Sequence, residues 1–223
     1  MNFDQERFNN FVIKNNIIRF SEEPTKLNSG RMSNFYVNWR TVLENIQLTD
    51  ITSRFVIDFT EDLKLEPFCF YGVPEGATKL GIITQYKYGI DFDYDILPMG
   101  RGKPKEHGES KDRYFLGLPK GETIILEDAT TTGSSLMNEI KKLQNENVDI
   151  IAAFGLTDRN EKRDDGLTVK EAINEYNIPY FALSNATDLL PLAYRRYHPS
   201  RNIINSVEEE FERYGEFKLK LFN

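Results

Sequence analysis

The chain has 223 residues, with 28 Lys and Arg against 35 Asp and Glu for a formal charge of −7, and 39% of its residues are hydrophobic. The length suits one large globular domain, and the acidic balance argues against a nucleic-acid-binding protein, since such proteins turn positive faces to phosphate backbones. The longest apolar run, residues 150–156, is far shorter than the roughly 20 residues that span a bilayer, which excludes a membrane protein.

Residues 1–66 predict an N-terminal hood with packing helices. Apolar side chains recur at helical spacing in the first 20 residues, which include Phe8, Val12 and Ile18, and again from Leu48 to Leu63. Both segments are expected to be amphipathic helices. Residues 26–40 are first rich in Asn and Ser and then aromatic, which indicates a loop that leads into strand-like structure.

Residues 67–185 predict an α/β core. Short apolar runs alternate with helical segments, and strands are expected at residues 68–71, 96–99, 123–126, 150–156 and 180–183. Strands joined by helical crossovers form a parallel sheet, here five-stranded and flanked by helices. Residues 186–223 would complete this single domain as a C-terminal helical segment.

The single cysteine, Cys69, lies in the first of these core strands. It cannot form an intramolecular disulfide, which indicates a reducing compartment. The expected location is therefore the cytoplasm.

Chemistry is expected in the loops that follow the strands, because ligands of open α/β sheets bind beyond the carboxyl ends of the strands. The strand at residues 123–126 ends in Glu127 and Asp128, and a turn with five hydroxyl side chains and Gly133 then opens a helix. Such a turn binds phosphate, while the acids suit sugar hydroxyls or a cation such as Mg²⁺. A plain helix cap is the alternative, although it would use only one of the hydroxyls.

Three other segments are candidate functional sites, each with an alternative interpretation. Residues 101–108 contain four cationic side chains, two glycines and a proline. This composition suits a mobile lid over a diphosphate, and the alternative is a solvated surface loop. Arg159 follows the longest strand, where its guanidinium would bind a carboxylate or an imide-like edge, or pair with Asp158 or Glu161. The two glycines of residues 72–76 would allow the backbone to present N–H groups to a diphosphate. The alternative is that they only form a tight turn between a strand and a helix.

These segments resemble motifs of the type I phosphoribosyltransferases, and more narrowly of the orotate phosphoribosyltransferases. Residues 124–135 are similar to the motif that binds 5-phosphoribosyl-1-pyrophosphate (PRPP). Residues 27–36 resemble the L-x-S-G-x-x-S-x-x-Y segment, residues 101–108 the mobile catalytic loop, and residues 158–161 the D-R-x-E element. All four follow the order of the family over about 130 residues.

The resemblance implies the type I phosphoribosyltransferase fold and transfer of the 5-phosphoribosyl group from PRPP to orotate. The products would be orotidine 5′-monophosphate and pyrophosphate, in pyrimidine nucleotide (UMP) biosynthesis. Mg²⁺ would be held mainly by PRPP, with no direct protein ligand, and the active unit would be a homodimer with a shared active site. The alternatives are a phosphoribosyltransferase for another nucleobase and a non-catalytic regulator of the same fold that senses PRPP.

The resemblance also assigns residues to roles. The catalytic residues would be Lys105, His107 and Asp128. PRPP would be bound by Arg101, Lys103, Glu127, Asp128, Ala129, Thr130, Thr131, Thr132, Gly133, Ser134 and Ser135, together with Val73, Pro74, Glu75 and Gly76. Orotate would be bound by Lys26, Phe35, Tyr36, Thr131 and Arg159.

The chain departs from the family at three positions. Asn28, Glu75 and Gly102 stand where many family members carry a basic residue. Lys26, Lys79 or Lys103 would then have to supply the missing positive charge to PRPP. The identity of the nucleobase is therefore the least constrained part of this interpretation.

Overall fold

The computed structural model describes residues 2–221. The N-terminal part contains two helices, α1 (Gln5–Lys14) and α2 (Ile46–Asp62), and an antiparallel strand pair between them, β1 (Ile18–Lys26) and β2 (Met32–Val37). Both helices confirm the expectation, but α1 ends before Ile18, which opens β1 instead. The reason is local: Asn16 takes a left-handed conformation with φ of 54°, which an α-helix cannot continue.

The remainder of the described chain alternates strands and helices. Its strands are β3 (Cys69–Gly72), β4 (Met99–Gly100), β5 (Phe115–Gly117), β6 (Thr123–Thr130), β7 (Ile150–Asp158) and β8 (Tyr180–Ala182). Its helices are α3 (Thr78–Phe92), α4 (Ser110–Tyr114), α5 (Ser134–Asn145), α6 (Val169–Asn174), α7 (Ala186–Tyr197) and α8 (Arg201–Tyr214).

The central sheet has the order β3-β6-β7-β8, and every neighbouring pair is parallel. This confirms the predicted parallel α/β core. The predicted fifth strand, residues 96–99, does not join the sheet: only Met99 and Gly100 are extended, and they pair antiparallel with β5 in a separate ribbon. Pro98 cannot donate to a strand ladder and Leu97 is 52% exposed, so this apolar run is not a core strand.

Both faces of the sheet are covered. Ile124 and Phe154 point into the cluster that includes the N-terminal part, whereas Ile125 and Ala153 point into the cluster formed with α5 and α6. Trp39 is fully buried, and its indole N–H donates to Thr157 Oγ1 of β7 at 3.0 Å. The N-terminal part is therefore attached directly to the strand end where a ligand would bind.

The C-terminal helix α8 packs on β2 rather than on the sheet. Phe211 of α8 stacks on Phe35 of β2, with ring centroids 5.9 Å apart. Within the part of the chain described here, no helix has the length and apolar character to cross a bilayer. The division at residues 66 and 185 into hood, core and C-terminal segment stays a prediction.

Candidate active site

The turn predicted to bind phosphate is formed where β6 gives way to α5. Gly133 precedes the helix with φ of 66°, and a Cβ at this position would lie 3.0 Å from a methyl group of Val169. The backbone conformation therefore favours glycine, and a side chain at this position would also press on Val169. The hydroxyls of Thr132 and Ser134 lie 2.9 Å apart and are exposed, beside the amino terminus of α5. This terminus offers unpaired backbone N–H groups to an anion.

The hood closes this turn from the opposite side. A cavity of about 110 Å³ is lined by Asn28, Ser29 and Glu127 and by the turn residues Thr131, Thr132, Gly133, Ser134 and Ser135. The Ser29 hydroxyl is buried and has no hydrogen-bond partner among the described residues. Ser29 was not among the predicted site residues, although the serine of its L-x-S-G segment was a usable signal.

Thr130 differs from its neighbours in the turn. Its hydroxyl lies 2.6 Å from the Tyr180 hydroxyl, its side chain is buried, and it does not line the cavity. The alternation of side chains along β6 explains this, because Thr130 is still part of the strand. Thr130 therefore supports the turn from inside the core and is not placed to bind phosphate through its side chain.

The two members of the acid pair line different cavities: Glu127 lines the one beside the turn, and Asp128 lines a second cavity between the hood and the ends of β6 and β7. Glu127 is 6% exposed, and burial, with the neighbouring Asp128, raises its pKa well above the ordinary value. Asp128 accepts a hydrogen bond from the Ala129 N–H at 2.9 Å, and a Cβ on Gly76 would overlap its carboxylate. Residues 2–221 contain no group of three or more His, Cys, Asp or Glu side chains placed to hold a metal ion.

The loop of residues 73–76 connects the acid pair to the lid. The Val73 N–H donates to the Leu126 carbonyl at 2.8 Å, which sets the loop beside the end of β6. On the side of the loop that faces the lid, Glu75 lies directly against Gly102, so that a Cβ on Gly102 would overlap the Glu75 carboxylate. The residues that the sequence assigned to diphosphate binding therefore lie between Asp128 and the first residues of the lid.

The lid, residues 101–109, leaves the ribbon of β4 and β5. Its base is held by main-chain bonds, from Arg101 N–H to the Tyr114 carbonyl at 2.7 Å and from Lys105 N–H to the Arg113 carbonyl at 3.0 Å. Lys103, Lys105 and His107 are exposed. Among the described residues, no hydrogen bond or ion pair joins these three side chains to the phosphate-binding turn.

The second cavity, of about 170 Å³, lies between the hood and the ends of β6 and β7. Of the residues predicted to bind orotate, Lys26, Tyr36, Thr131 and Arg159 line it. Arg40 and Asn38 line it too, and sequence reasoning missed both. Phe35 does not, because adjacent residues of β2 point to opposite faces; its ring is fully buried and lies 3.7 Å under the Arg159 guanidinium.

Arg159 lines this cavity and also forms an ion pair with Glu161, which was the alternative interpretation; its binding of a base stays a prediction. Arg159 is 2% exposed, and its Nε donates to Glu161 at 2.7 Å. Its Nη1 donates to the Phe35 carbonyl at 3.2 Å, and its Nη2 to Ser33 and Glu210, both at 2.9 Å. These bonds use four of the five N–H groups of a guanidinium.

Comparison with curated proteins identifies a consistent set of relatives. The orotate phosphoribosyltransferases of Aquifex aeolicus and Pyrococcus horikoshii are 25% and 27% identical to this chain, over 80% and 82% of it and 94% and 92% of their own lengths. That of Bradyrhizobium diazoefficiens is 28% identical over 77% of this chain and 89% of its own. No protein-family model matches the chain.

Solved structures show the same fold. The orotate phosphoribosyltransferase of Francisella tularensis superposes with a TM-score of 0.67 at 18% identity, covering 94% of this chain and all of its own. That of Mycobacterium tuberculosis, solved in complex with PRPP, gives a TM-score of 0.54 at 18% identity, over 83% and 98% of the two chains. These structures show that this chain has the type I phosphoribosyltransferase fold, and the curated relatives that it resembles over about four-fifths of its length are orotate phosphoribosyltransferases.

Proposed function

We propose that this chain transfers the 5-phosphoribosyl group of PRPP to orotate, giving orotidine 5′-monophosphate and pyrophosphate in pyrimidine nucleotide biosynthesis. One observation carries the proposal: the phosphate-binding turn, the acid pair, the diphosphate loop and the base cavity meet around the carboxyl end of β6. The curated relatives share this activity in name over about four-fifths of the chain. A cytoplasmic location, based on the single cysteine, is part of the same proposal.

PRPP would lie along these segments in a fixed order. The turn of residues 131–135 would hold the 5′-phosphate with backbone N–H groups and hydroxyls, closed by the Ser29 hydroxyl. Asp128 and Glu127 would accept hydrogen bonds from the ribose hydroxyls. The diphosphate would then extend towards residues 73–76 and the lid.

The reaction breaks the bond from the anomeric carbon to the diphosphate oxygen, forms one from that carbon to a ring nitrogen of orotate, and releases the proton of that nitrogen to the departing diphosphate or to water. Positive charge develops on the ribose ring and negative charge on the departing diphosphate, so catalysis consists mainly of charge stabilisation and exclusion of water. Lys105 and His107 would close over the diphosphate and, with Arg101 and Lys103, stabilise its charge. No protein nucleophile is required.

The acid pair also fits a divalent cation. Carboxylate oxygens are the ligands that Mg²⁺ prefers, and Asp128 lies directly against Gly76 of the diphosphate loop. Mg²⁺ would be held mainly by the oxygens of PRPP, with Asp128 beside it, and it would supply neutralisation of the diphosphate charge.

The base cavity favours an anionic base. Three of its lining residues are cationic, namely Lys26, Arg40 and Arg159, and one, Asp128, is a carboxylate, so the lining has an excess of positive charge. Orotate differs from uracil by a carboxylate, and a neutral base would leave this positive charge poorly compensated.

The active unit would be a two-fold homodimer in which the lid serves the neighbouring site. Apolar side chains are exposed where the start of α2 meets α3, with Ile46 83% exposed and Tyr86 and Ile90, one turn apart on α3, more than half exposed. Such a patch is typical of an interface. Mixing the weakened Lys105→Ala and Asp128→Asn proteins, at a PRPP concentration below the Michaelis constant, should then give more activity than the two proteins measured separately, because each hybrid dimer contains one intact site. No gain, with subunit exchange demonstrated, would indicate that each site is built from one chain.

The test of the proposed function is a turnover assay with PRPP and Mg²⁺, following the loss of orotate absorbance. Uracil, hypoxanthine and adenine are the comparison bases, and release of pyrophosphate is measured for each. We expect release with orotate and little with the others. Release with a different base would identify another nucleobase specificity, and PRPP binding without release for any base would identify the regulator.

A further inference from the structure

A buried group of charged side chains lies directly behind the base cavity. Arg159 is held between two carboxylates, Glu161 on its own segment and Glu210 on the C-terminal helix α8. Glu161 also receives a hydrogen bond from Arg31 at 3.0 Å. All four of these side chains are less than 10% exposed. The proposed function uses only Arg159.

Glu210 holds Arg159 in a closed ring of hydrogen bonds. Its Oε1 accepts from Arg159 Nη2 at 2.9 Å, and its Oε2 accepts from the Ser33 hydroxyl at 2.8 Å. Arg159 Nη2 donates in turn to that hydroxyl at 2.9 Å. Both N–H groups of Nη2 are therefore fixed by β2 and α8, away from the cavity.

The other side of the guanidinium is left for a ligand. Nη1 makes one hydrogen bond in the described residues, to the Phe35 carbonyl, although it carries two N–H groups. Arg159 nevertheless lines the cavity that Lys26 and Tyr36 share. The ring around Nη2 thus determines which edge of Arg159 faces the base.

We propose that Glu210 is a positioning residue for base recognition: it fixes Nη2 of Arg159 so that Nη1 is presented to orotate. The inference rests on the proposed function. Without Glu210 the guanidinium would gain rotational freedom and leave Ser33 with one partner fewer. The C-terminal helix would then be part of the base site, although it contributes no atom that touches the base.

An electrostatic consequence follows from the same contacts. Burial raises the pKa of Glu210 above its ordinary value, and the neighbouring Glu161 carboxylate raises it further. The Arg159 guanidinium and the Ser33 hydroxyl act in the opposite direction but do not cancel this rise. These are the groups that face Glu210 from β2 and from the segment after β7, while Arg31 acts through Glu161. The carboxylate of orotate would add a further negative charge beside Arg159, which raises the pKa of Glu210 again. Binding of orotate near neutral pH should therefore take up a proton.

The experiment compares steady-state kinetics of three variants on the full chain. Glu210→Ala should raise the Michaelis constant for orotate at least tenfold and leave that for PRPP within about threefold. Glu210→Gln should stay within about threefold of the parent protein for both, because its amide can accept from Arg159 and donate to Ser33. Glu209→Ala, exposed on the same helix, is the matched control.

Proton uptake gives a readout that a structural role would not change. Titration with orotate in two buffers of different ionisation enthalpy should show uptake in the parent protein and its loss in Glu210→Gln, which also decides the case if Glu210→Ala fails to fold. Equal uptake in both proteins, or equal losses for orotate and PRPP in Glu210→Ala, would overturn the inference. A parent protein that shows no turnover with orotate would overturn the proposed function first.

Discussion

The buried frame of the site and the exposed lid are both rich in polar groups but are built in opposite ways. The frame, defined as the turn of residues 127–135 and the cluster around Arg159, continues from β6 and β7, which are paired on both sides within the sheet. The lid, in contrast, is held by main-chain bonds at its base and exposes Lys103, Lys105 and His107. The groups proposed to bind the substrate in its ground state are held by the fold, whereas those proposed to meet the departing charge are exposed.

This difference follows from what each region has to do. Donors that bind a phosphate are most effective when they need no rearrangement at the moment of reaction. A lid, however, has to open for PRPP to enter and close to exclude water. Changes in the frame are therefore expected to affect folding as well as activity, and changes in the lid only activity.

The largest expected effect is in the frame. Arg159→Ala would leave Glu161 and Glu210 buried without their shared partner, which typically costs about 3–5 kcal/mol of the free energy of unfolding. Orotate kinetics should also worsen, so denaturant unfolding must be measured beside the assay. An Arg159→Ala protein of unchanged stability would contradict the distinction between frame and lid.

A pH effect of comparable size is expected from Asp158. Burial raises its pKa from 3.8 to about 7, so the folded protein holds a proton that the unfolded chain has lost. The stability associated with this proton is complete below about pH 4 and is lost as pH rises to 7, by up to about 4 kcal/mol. Asp158→Asn should flatten this decline in thermal unfolding between pH 4 and 8. An identical pH profile in the variant would refute the assignment.

A moderate effect, of the opposite kind, is expected in the lid. Lys105→Ala should reduce the turnover rate at least tenfold, about 1.4 kcal/mol of transition-state stabilisation, while the melting temperature stays within about 2 °C. Lys120→Ala, an exposed lysine after β5, is the control. A parent-like rate in Lys105→Ala would remove the lid from the mechanism.

The smallest effect tests the border between the two regions. Asp128 is only partly buried, and Asp128→Asn keeps an oxygen that can accept from the Ala129 N–H. We expect the Michaelis constant for PRPP to rise about fivefold, close to 1 kcal/mol, with little change in melting temperature. Parallel losses of stability and activity would place Asp128 in the structural part of the frame.

The sequence predicted most of what depends on local patterns. The turn after β6 was recognisable because an apolar strand, two acids, hydroxyls and Gly133 follow one another directly. The same holds for the parallel sheet, whose strands are continuous apolar runs. The run at residues 96–99 was misleading, since Pro98 and the exposed Leu97 remove it from the sheet.

Long-range contacts explain the features that the sequence did not reveal. Phe35 and Tyr36 are adjacent in the chain, but only the pairing of β2 and its packing on α8 decide which of them faces the cavity. Glu210 lies 51 residues beyond Arg159, and nothing near it in the sequence connects the two. Thr130 was assigned to phosphate because its turn was recognised as a unit, whereas its hydroxyl bonds to Tyr180.

The contact between Gly102 and Glu75 constrains how this site can evolve. A side chain at position 102 would meet the Glu75 carboxylate, so a basic residue there requires Glu75 to shift or to be replaced. The two positions are 27 residues apart, yet their side chains would be in contact. The effects of substitutions at positions 75 and 102 on the lid are therefore expected to be non-additive.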